Sequence, residues 1–139
     1  MLKKFIIILF FIICTPFGFS QYTTFTSIDY IGSNNPRQTL DLYVPDDITQ
    51  KVPLIIFIHG GGWHSGSTEN VLAWCDTLLS NNFIVAAINY RFSQDSIFPA
   101  QIYDCKAVVR WLKANADLYS IDTSKLECSV FRQVLIWHL

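Results

Sequence analysis

The sequence predicts an α/β fold whose sheet is mixed and mostly parallel, with an antiparallel hairpin at its N-terminal edge. Segments with strand-like and helical periodicity alternate along the chain without an internal repeat. Two of them, 54–58 and 83–88, are continuously apolar, which is typical of strands covered by helices on both faces. A segment of helical periodicity separates these two strands, so a right-handed crossover and parallel pairing are expected.

Length and composition limit the kind of protein. Of its 139 residues, 51% are hydrophobic and 15% are charged, which suits one compact domain and excludes a disordered chain. The net charge of −1 provides neither a basic surface for nucleic acid nor a polybasic stripe for a membrane. A small molecule is therefore the expected partner, no nucleic acid is expected, and the oligomeric state stays open.

The first 20 residues predict a Sec-type signal peptide. Two lysines precede an apolar run over 5–13, and the small residues Gly18 and Ser20 stand at −3 and −1 of a cleavage site before Gln21. The run is shorter than the roughly 20 residues that a membrane-spanning helix needs. We therefore expect a secreted or periplasmic protein, cleaved near Ser20-Gln21, with no stable membrane anchor.

Three cysteines follow the predicted cleavage site: Cys75, Cys105 and Cys128. In an exported protein an odd number allows one disulfide with one thiol left over, or three buried and reduced thiols. Their spacing has no metal-binding pattern such as C-x-x-C. No metal site is therefore predicted.

Residues 21–125 are predicted to form one domain that begins with the hairpin. Strand-like alternation over 25–31 and 38–44 flanks a turn at 32–36. The apolar strand 54–58 comes next, and its lack of alternation places it in the centre of the sheet.

Two helices are predicted beyond the central strand. The first spans about 68–80, with Ser67 or Thr68 as its N-terminal cap. The second spans about 99–116, with Pro99 in its first turn. Helical spacing places three of its apolar residues on one face: Ile102, Val109 and Leu112.

The candidate site is His59-Gly60-Gly61-Gly62-Trp63, directly after the central strand. Ligands of open α/β sheets bind at the carboxyl ends of strands. Successive glycines permit positive φ and allow backbone N–H groups to point at a negatively charged oxygen. Such donors stabilise the oxyanion of acyl transfer, where one donor is worth about 3 kcal/mol of barrier. Taken alone, the glycines are also compatible with a flexible turn, and His59 with a histidine that only orders the loop.

The glycine segment is one of several motifs that occur in a characteristic order. They are LDLYVP at 40–45, PLIIFIHGGGW at 53–63, NYRF at 89–92, FPAQ at 98–101 and Asp104. Together they resemble the hormone-sensitive-lipase and acetyl-xylan-esterase-like branch of the α/β-hydrolases, over residues 28 to about 125. The resemblance implies the N-terminal part of an α/β-hydrolase fold, incomplete in this chain. It also implies a serine carboxylesterase that acts on small acyl or acetyl esters without metal or cofactor.

The resemblance implies roles for individual residues of the glycine loop. Gly60 and Gly61 would supply the amides of an oxyanion hole, while His59 and Gly62 would shape the loop. Trp63 would either lie near the site or pack beneath the loop, and both alternatives stay open.

Other polar residues near the loop have more ordinary interpretations. Arg91 and Asp104 are expected to form a structural ion pair that fixes the loop after the second apolar strand to the following helix. His64 is not expected to act on Ser65 or Ser67, because adjacent residues on a turn rarely meet. The base of the resembled family also comes late in the chain.

No catalytic triad can be assigned. The nucleophile elbow G-x-S-x-G should follow the strand after 121–125, yet the sequence contains no such motif and no acid or base beyond it. We therefore expect a truncated N-terminal half that is inactive as written. The alternatives are a non-catalytic binding protein that retains the pocket rim, or a fragment of an exported peptidase of the same superfamily.

Residues 126–139 are predicted to be an out-of-frame tail, since they have no clean strand or helix period. One allowed back-translation, shifted by a single A inserted after the codon for Lys125, reads I-G-V-F-G-F-S-A-G-A-H-L-A-S. This is a short apolar strand followed by the elbow G-F-S-A-G. Trp137 and His138 would then have no functional meaning. A genuine divergent C-terminus is the alternative.

Overall fold

The computed structural model describes residues 21–130, apart from the side chains at 70, 72–74 and 130. The predicted signal peptide and residues 131–139, including Trp137 and His138, lie outside the described residues and stay predictions. Over the part that is described, no helix has the length and apolar character needed to cross a membrane.

The strands and helices follow one another in an alternating order. Along the chain they are β1 (Tyr22–Asp29), β2 (Thr39–Pro45), β3 (Val52–Ile58), a 3-10 turn (Thr68–Val71), α1 (Leu72–Leu79), β4 (Ile84–Ile88), α2 (Ala100–Ala114) and β5 (Ile121–Val130). The predicted hairpin, apolar strands and helices are all present, with ends displaced by a few residues.

The sheet has the order β1-β2-β4-β3-β5. β2 pairs antiparallel with both β1 and β4, whereas β3 pairs parallel with both β4 and β5. This confirms the predicted mixed sheet with an antiparallel N-terminal hairpin, and it confirms that β3 is central. The connection from β3 through α1 to β4 is the predicted crossover between parallel strands.

β5 begins before residue 126 and continues beyond it. Although residues 126–139 show no clean strand period, β5 runs to Val130 and pairs with β3 as far as Ile58. Backbone hydrogen bonds form a parallel ladder whatever the side chains are, so pairing does not require alternation. The register shifts between Val52 and Leu54, where two steps along β3 correspond to five steps along β5, from Ile121 to Leu126.

The core has two layers, one on each face of the sheet. On one face the strands pack against Val108 and Leu112 of α2. On the other face they pack against Val71, which precedes α1, and against Cys75 and Leu79 within α1. β4 contributes alternate residues to both layers, so all of its side chains are buried. Its continuous apolar sequence follows from this double coverage.

The buried side of α2 includes polar as well as apolar residues. Its buried residues are Ala100, Gln101, Asp104, Val108 and Leu112. Of the three apolar residues predicted to share one face, Leu112 is buried and Val109 packs against the core, whereas Ile102 is 36% exposed. Asp104 and Gln101 have hydrogen-bond partners within the fold, and these partners permit their burial.

The central position of β4 leads to a first testable prediction. Ile88→Val is expected to lower the free energy of unfolding by about 0.5–1.5 kcal/mol, because it removes one buried methylene group from the layer under α2. Urea denaturation would measure it as a lower midpoint at an unchanged slope. The same substitution at the exposed Ile97, which is 83% accessible, serves as the control and should leave the midpoint in place. An equal shift in both variants would contradict the assignment of Ile88 to the core.

Candidate active site

The glycine loop, residues 59–66, lies where three parallel strands end at the same level. Ile58, the last residue of β3, is paired in register with Ile88 of β4 and with Val130 of β5. The segments that follow β3 and β4 therefore leave the sheet side by side, at its carboxyl edge. Ligand sites of open α/β sheets occupy this edge.

Two glycines of this region have no room for a side chain. Gly61 has φ +126°, and a Cβ there would lie 1.9 Å from the carbonyl oxygen of Ser65. Gly66 has φ +112°, and a Cβ there would lie 2.2 Å from Nδ1 of His59 and 2.5 Å from the carbonyl oxygen of Gly60. Gly62 also has positive φ but faces open space. Gly66 was missed by the sequence reasoning, where the available signal was an isolated glycine in a turn.

The hydrogen bonds of the loop use its carbonyl groups. The carbonyl of Gly61 accepts from the N–H groups of His64 and Ser65, at 3.1 and 3.2 Å, and closes a tight turn. The carbonyl of Trp63 accepts from the N–H of Ser93 at 2.9 Å, which ties the loop to the segment after β4. The N–H groups at 60–63 donate none of these bonds.

His59 is held beneath the loop by contacts to both its ring and its backbone. The ring is stacked on Tyr90 with centroids 4.5 Å apart, and the hydroxyl of Tyr90 donates to the carbonyl of His59 at 2.9 Å. Nδ1 lies 2.8 Å from the carbonyl oxygen of Gly60, so it must bear the proton that it donates. Nε2 is buried and has no partner among the described residues. Among the described residues, no hydroxyl is hydrogen-bonded to either ring nitrogen of His59.

Burial lowers the pKa of His59, and the nearby charge of Arg37 lowers it further, although the bond to Gly60 opposes both. Because the folded pKa is below the ordinary value of about 6.5, the unfolded chain binds the proton more readily. The stability that neutral His59 contributes is therefore full above about pH 6.5 and is lost as the pH falls.

Thermal melts between neutral and acid pH test this second prediction. The melting temperature of His59→Gln should fall less on acidification than that of the wild type, since glutamine can donate to Gly60 without titrating. His64→Gln, at an exposed histidine of the same turn, provides the control and should keep the wild-type pH dependence. Parallel pH profiles for wild type and His59→Gln would show that His59 does not contribute.

The side chain of Trp63 lies at the surface, beside the loop. Its side chain is 46% exposed and meets the ring of Tyr90 edge-on, with centroids 5.5 Å apart. Its φ of +67° is unusual for a bulky residue and costs of order 1–3 kcal/mol. Of the two alternatives, the structure places the ring beside the loop and partly in solvent. It does not bury the ring beneath the loop.

Arg91 and Asp104 form a doubly hydrogen-bonded ion pair between the end of β4 and α2. Nε and one terminal nitrogen of Arg91 donate to the two carboxylate oxygens at 2.9 and 2.7 Å. The backbone N–H of Arg91 and Nε2 of Gln38 also donate to this carboxylate, whose side chain is only 1% exposed. The pair is the predicted one, and Gln38 is an additional partner that the sequence reasoning missed. The side-chain hydrogen bonds to Asp104 raise the pKa of Arg91.

The serines that follow the loop do not meet a histidine. Ser65 donates its hydroxyl to the carbonyl of Gly61 at 3.3 Å, and the hydroxyl of Ser67 accepts from the N–H of Glu69. His64 is exposed, and its carbonyl accepts from the side chain of Gln94. No serine–histidine pair is formed within residues 21–130.

The cysteines that the structure describes form no disulfide. Cys75 is buried, Cys105 is partly buried and Cys128 is exposed. Burial raises the pKa of both Cys75 and Cys105 to about 11, so these thiols are poor nucleophiles at neutral pH. The described part of the chain has no cluster of side chains able to hold a metal ion.

Known proteins resemble this chain in both sequence and structure. Residues 40–130 match the protein-family model described as BD-FAE. Esterase LipC of Mycobacterium tuberculosis is 31% identical over 91 residues, which are 64% of this chain and 23% of LipC. Among solved structures, a truncated carbohydrate esterase from gut microbiota matches with a TM-score of 0.73 and 31% identity, over 81% of this chain and 40% of that one. Esterase B of Lactobacillus rhamnosis matches with the same score and identity, over 78% of this chain and 35% of its own.

These relatives are considerably longer than the part that this chain matches. The matched segment spans 23% of LipC and 27% of the carboxylesterase NlhH of the same organism. The family match includes the glycine loop, the Arg91–Asp104 pair and β5 as far as residue 130. It extends past Lys125 and therefore does not mark the predicted start of the out-of-frame tail.

Proposed function

Because this chain belongs to the BD-FAE family, in the carboxylesterase branch of the α/β-hydrolases, we propose that its gene derives from that of a secreted serine esterase acting on small acyl esters, including acetyl esters. The observation that supports this most directly is the glycine loop at the carboxyl end of β3, in which the N–H groups of residues 60–63 donate none of the loop's described hydrogen bonds. A carbohydrate esterase and an esterase B are among the similar structures. An esterase substrate presents an ester carbonyl to the enzyme.

In the proposed reaction, the glycine loop would stabilise the negative charge that develops on the ester carbonyl oxygen. A serine Oγ attacks the ester carbonyl carbon while a histidine takes the serine proton, and the carbonyl oxygen becomes an anion. The N–H groups of Gly60 and Gly61 would donate to that oxygen and stabilise the tetrahedral intermediate. Its collapse returns the proton to the leaving alcohol and leaves the acyl group on the serine, from which water releases it.

The position of β5 supports the proposal that residues 126–139 are out of frame. In the shifted reading, the first glycine of G-F-S-A-G replaces Val130, which is level with the end of β3. The serine would therefore follow shortly after the strand end, beside the glycine loop. The same reading supplies an apolar strand, whereas the chain as written has an exposed Glu127 paired in register with Ile55 of the central strand.

No serine among residues 1–139 stands in a G-x-S-x-G elbow, and we propose that these residues do not by themselves form an active esterase. Sequencing the gene through and beyond the codon for Lys125 tests the proposal. A single-base shift should open a frame that encodes G-x-S-x-G, then an acid, then a histidine. Codons unable to yield the elbow, or a closed frame after it, would refute the proposal and favour a genuine divergent C-terminus.

A further inference from the structure

A single side chain outside the glycine loop contacts the elements on either side of it. Arg37 lies in the turn between β1 and β2. Its guanidinium carbon is 3.9 Å from the centre of the Phe92 ring, which follows β4, in cation–π geometry. One terminal nitrogen donates to the carbonyl of Gly66 at 3.4 Å. Arg37 thus joins the hairpin turn, the segment after β4 and the last glycine of the loop.

Gly66 connects Arg37 to the beginning of the loop through direct contacts. The backbone of Gly66 packs so closely on His59 and Gly60 that even a methyl group would overlap them. The ring of His59 is therefore confined between Gly66 and the stacked ring of Tyr90. Phe92 also touches the His59 ring edge-on, at 6.1 Å between centroids, so Arg37 and His59 rest on the same aromatic side chain.

The turn that holds Arg37 is itself firmly attached to the fold. The backbone N–H of Arg37 donates to the side chain of Asn35 at 2.9 Å, and the N–H of Gln38 donates to the Asn35 carbonyl. The side chain of Gln38 is bonded to the buried carboxylate of Asp104. Arg37 is thus anchored on a rigid base, and its contact with Gly66 can restrain the loop.

The positive charge of Arg37 also affects the protonation state of His59. Among residues 21–130, the titratable or charged groups that face its ring are Tyr90, from the segment after β4, and Arg37, from the β1–β2 turn. The positive charge of Arg37 disfavours a proton on Nε2 and so favours the neutral ring that donates from Nδ1 to Gly60. Arg37 therefore stabilises both the position and the protonation state of His59.

We propose that Arg37 is a positioning residue for the glycine loop. Arg37 holds Gly66 against His59 and thereby maintains the turn in which the amides of Gly60 and Gly61 stay free. Its catalytic relevance rests on the proposed function, whereas the positioning itself can be measured without turnover.

Nuclear magnetic resonance on the full chain tests this third prediction through two readouts. In Arg37→Gln the His59 ring should titrate at higher pH than in the wild type, because the opposing charge is removed. The amide protons of His64 and Ser65, which donate to Gly61, should exchange about tenfold faster or more, as expected for loss of a hydrogen bond to a charged group. Protection within β3 and β4 should stay at the wild-type level.

Two further variants separate positioning from a general charge effect. Arg37→Lys retains the charge but not the planar group that stacks on Phe92, so it should restore the His59 titration and leave the faster exchange. Arg110→Gln removes the same charge from the exposed side of α2 and should change neither readout. Unchanged exchange in folded Arg37→Gln would overturn the proposal. So would loss of protection across the whole sheet in both Arg37 variants, because Arg37 would then support the fold in general. None of these results depends on whether the gene encodes an active esterase.

Discussion

If the proposed function is right, restoring the reading frame after Lys125 is expected to raise the turnover of p-nitrophenyl acetate by up to about 10⁶-fold over that of the chain as written. The physical reason is that a catalytic triad acts as a unit, and removal of its nucleophile alone costs a rate factor of about 10⁶. The glycine loop of the chain as written would supply oxyanion donors without an attacking group. The measurement compares the chain as written with the product of the restored gene, under identical conditions.

Gly61→Ala in the restored protein is the informative companion to this comparison. It should lower kcat by about 10²–10³-fold, the usual loss when one oxyanion donor is displaced. A Cβ at Gly61 would overlap the carbonyl of Ser65, so the loop must change shape. Gly32→Ala is the matched control, since Gly32 also has positive φ but a Cβ there meets nothing within 4 Å. Wild-type kcat in Gly61→Ala would exclude the loop as the oxyanion site, even if the restored protein were active.

Arg91→Ala is expected to lower the free energy of unfolding by about 3–5 kcal/mol, the largest stability effect that we predict. The substitution leaves the carboxylate of Asp104, whose side chain is 1% exposed, without its counter-charge. Only two other donors are described for this carboxylate, Gln38 and the backbone N–H of residue 91. Chemical denaturation of the full chain measures the change.

The chain has a matched control for this prediction in the ion pair between Lys51 and Asp117. Its side chains are 55% and 93% exposed, so solvent screens the charges and little stability depends on them. Lys51→Ala should therefore leave the denaturation midpoint nearly unchanged. Equal effects of the two substitutions would show that the Arg91–Asp104 pair behaves as a surface pair. Removing both Arg91 and Asp104 should recover part of the loss, because no unpaired buried charge then remains.

Much of the fold could be predicted because the relevant signals are local. The unbroken apolar sequences of β3 and β4 reflect coverage on both faces, and the structure shows this coverage. The hairpin was predicted from alternation on either side of a turn rich in glycine, asparagine and proline. The candidate site was placed after β3 because ligands of open α/β sheets bind at the carboxyl ends of strands, which is where the glycines follow β3.

The errors arose where polar residues or distant contacts decide the structure. The buried face of α2 includes Asp104 and Gln101, which apolar periodicity assigns to the surface. They are buried because partners from the β1–β2 turn and from the segment after β4 satisfy their hydrogen bonds. β5 continues to Val130 because β3 offers an unpaired edge, although the side chains there show no strand period.

By itself the sequence determined the fold class, the central position of β3 and the place of the glycine loop, because hydrophobic periodicity and glycine content act through neighbouring residues. Only the tertiary structure decided that Gly66 must be glycine, that Gln38 completes the buried ion pair and that Arg37 contacts the loop from the hairpin turn. Each of these depends on groups that are far apart in the chain or packed in van der Waals contact. No local pattern encodes such distances, since they arise only when the sheet brings the ends of β3 and β4 and the turn before β2 together.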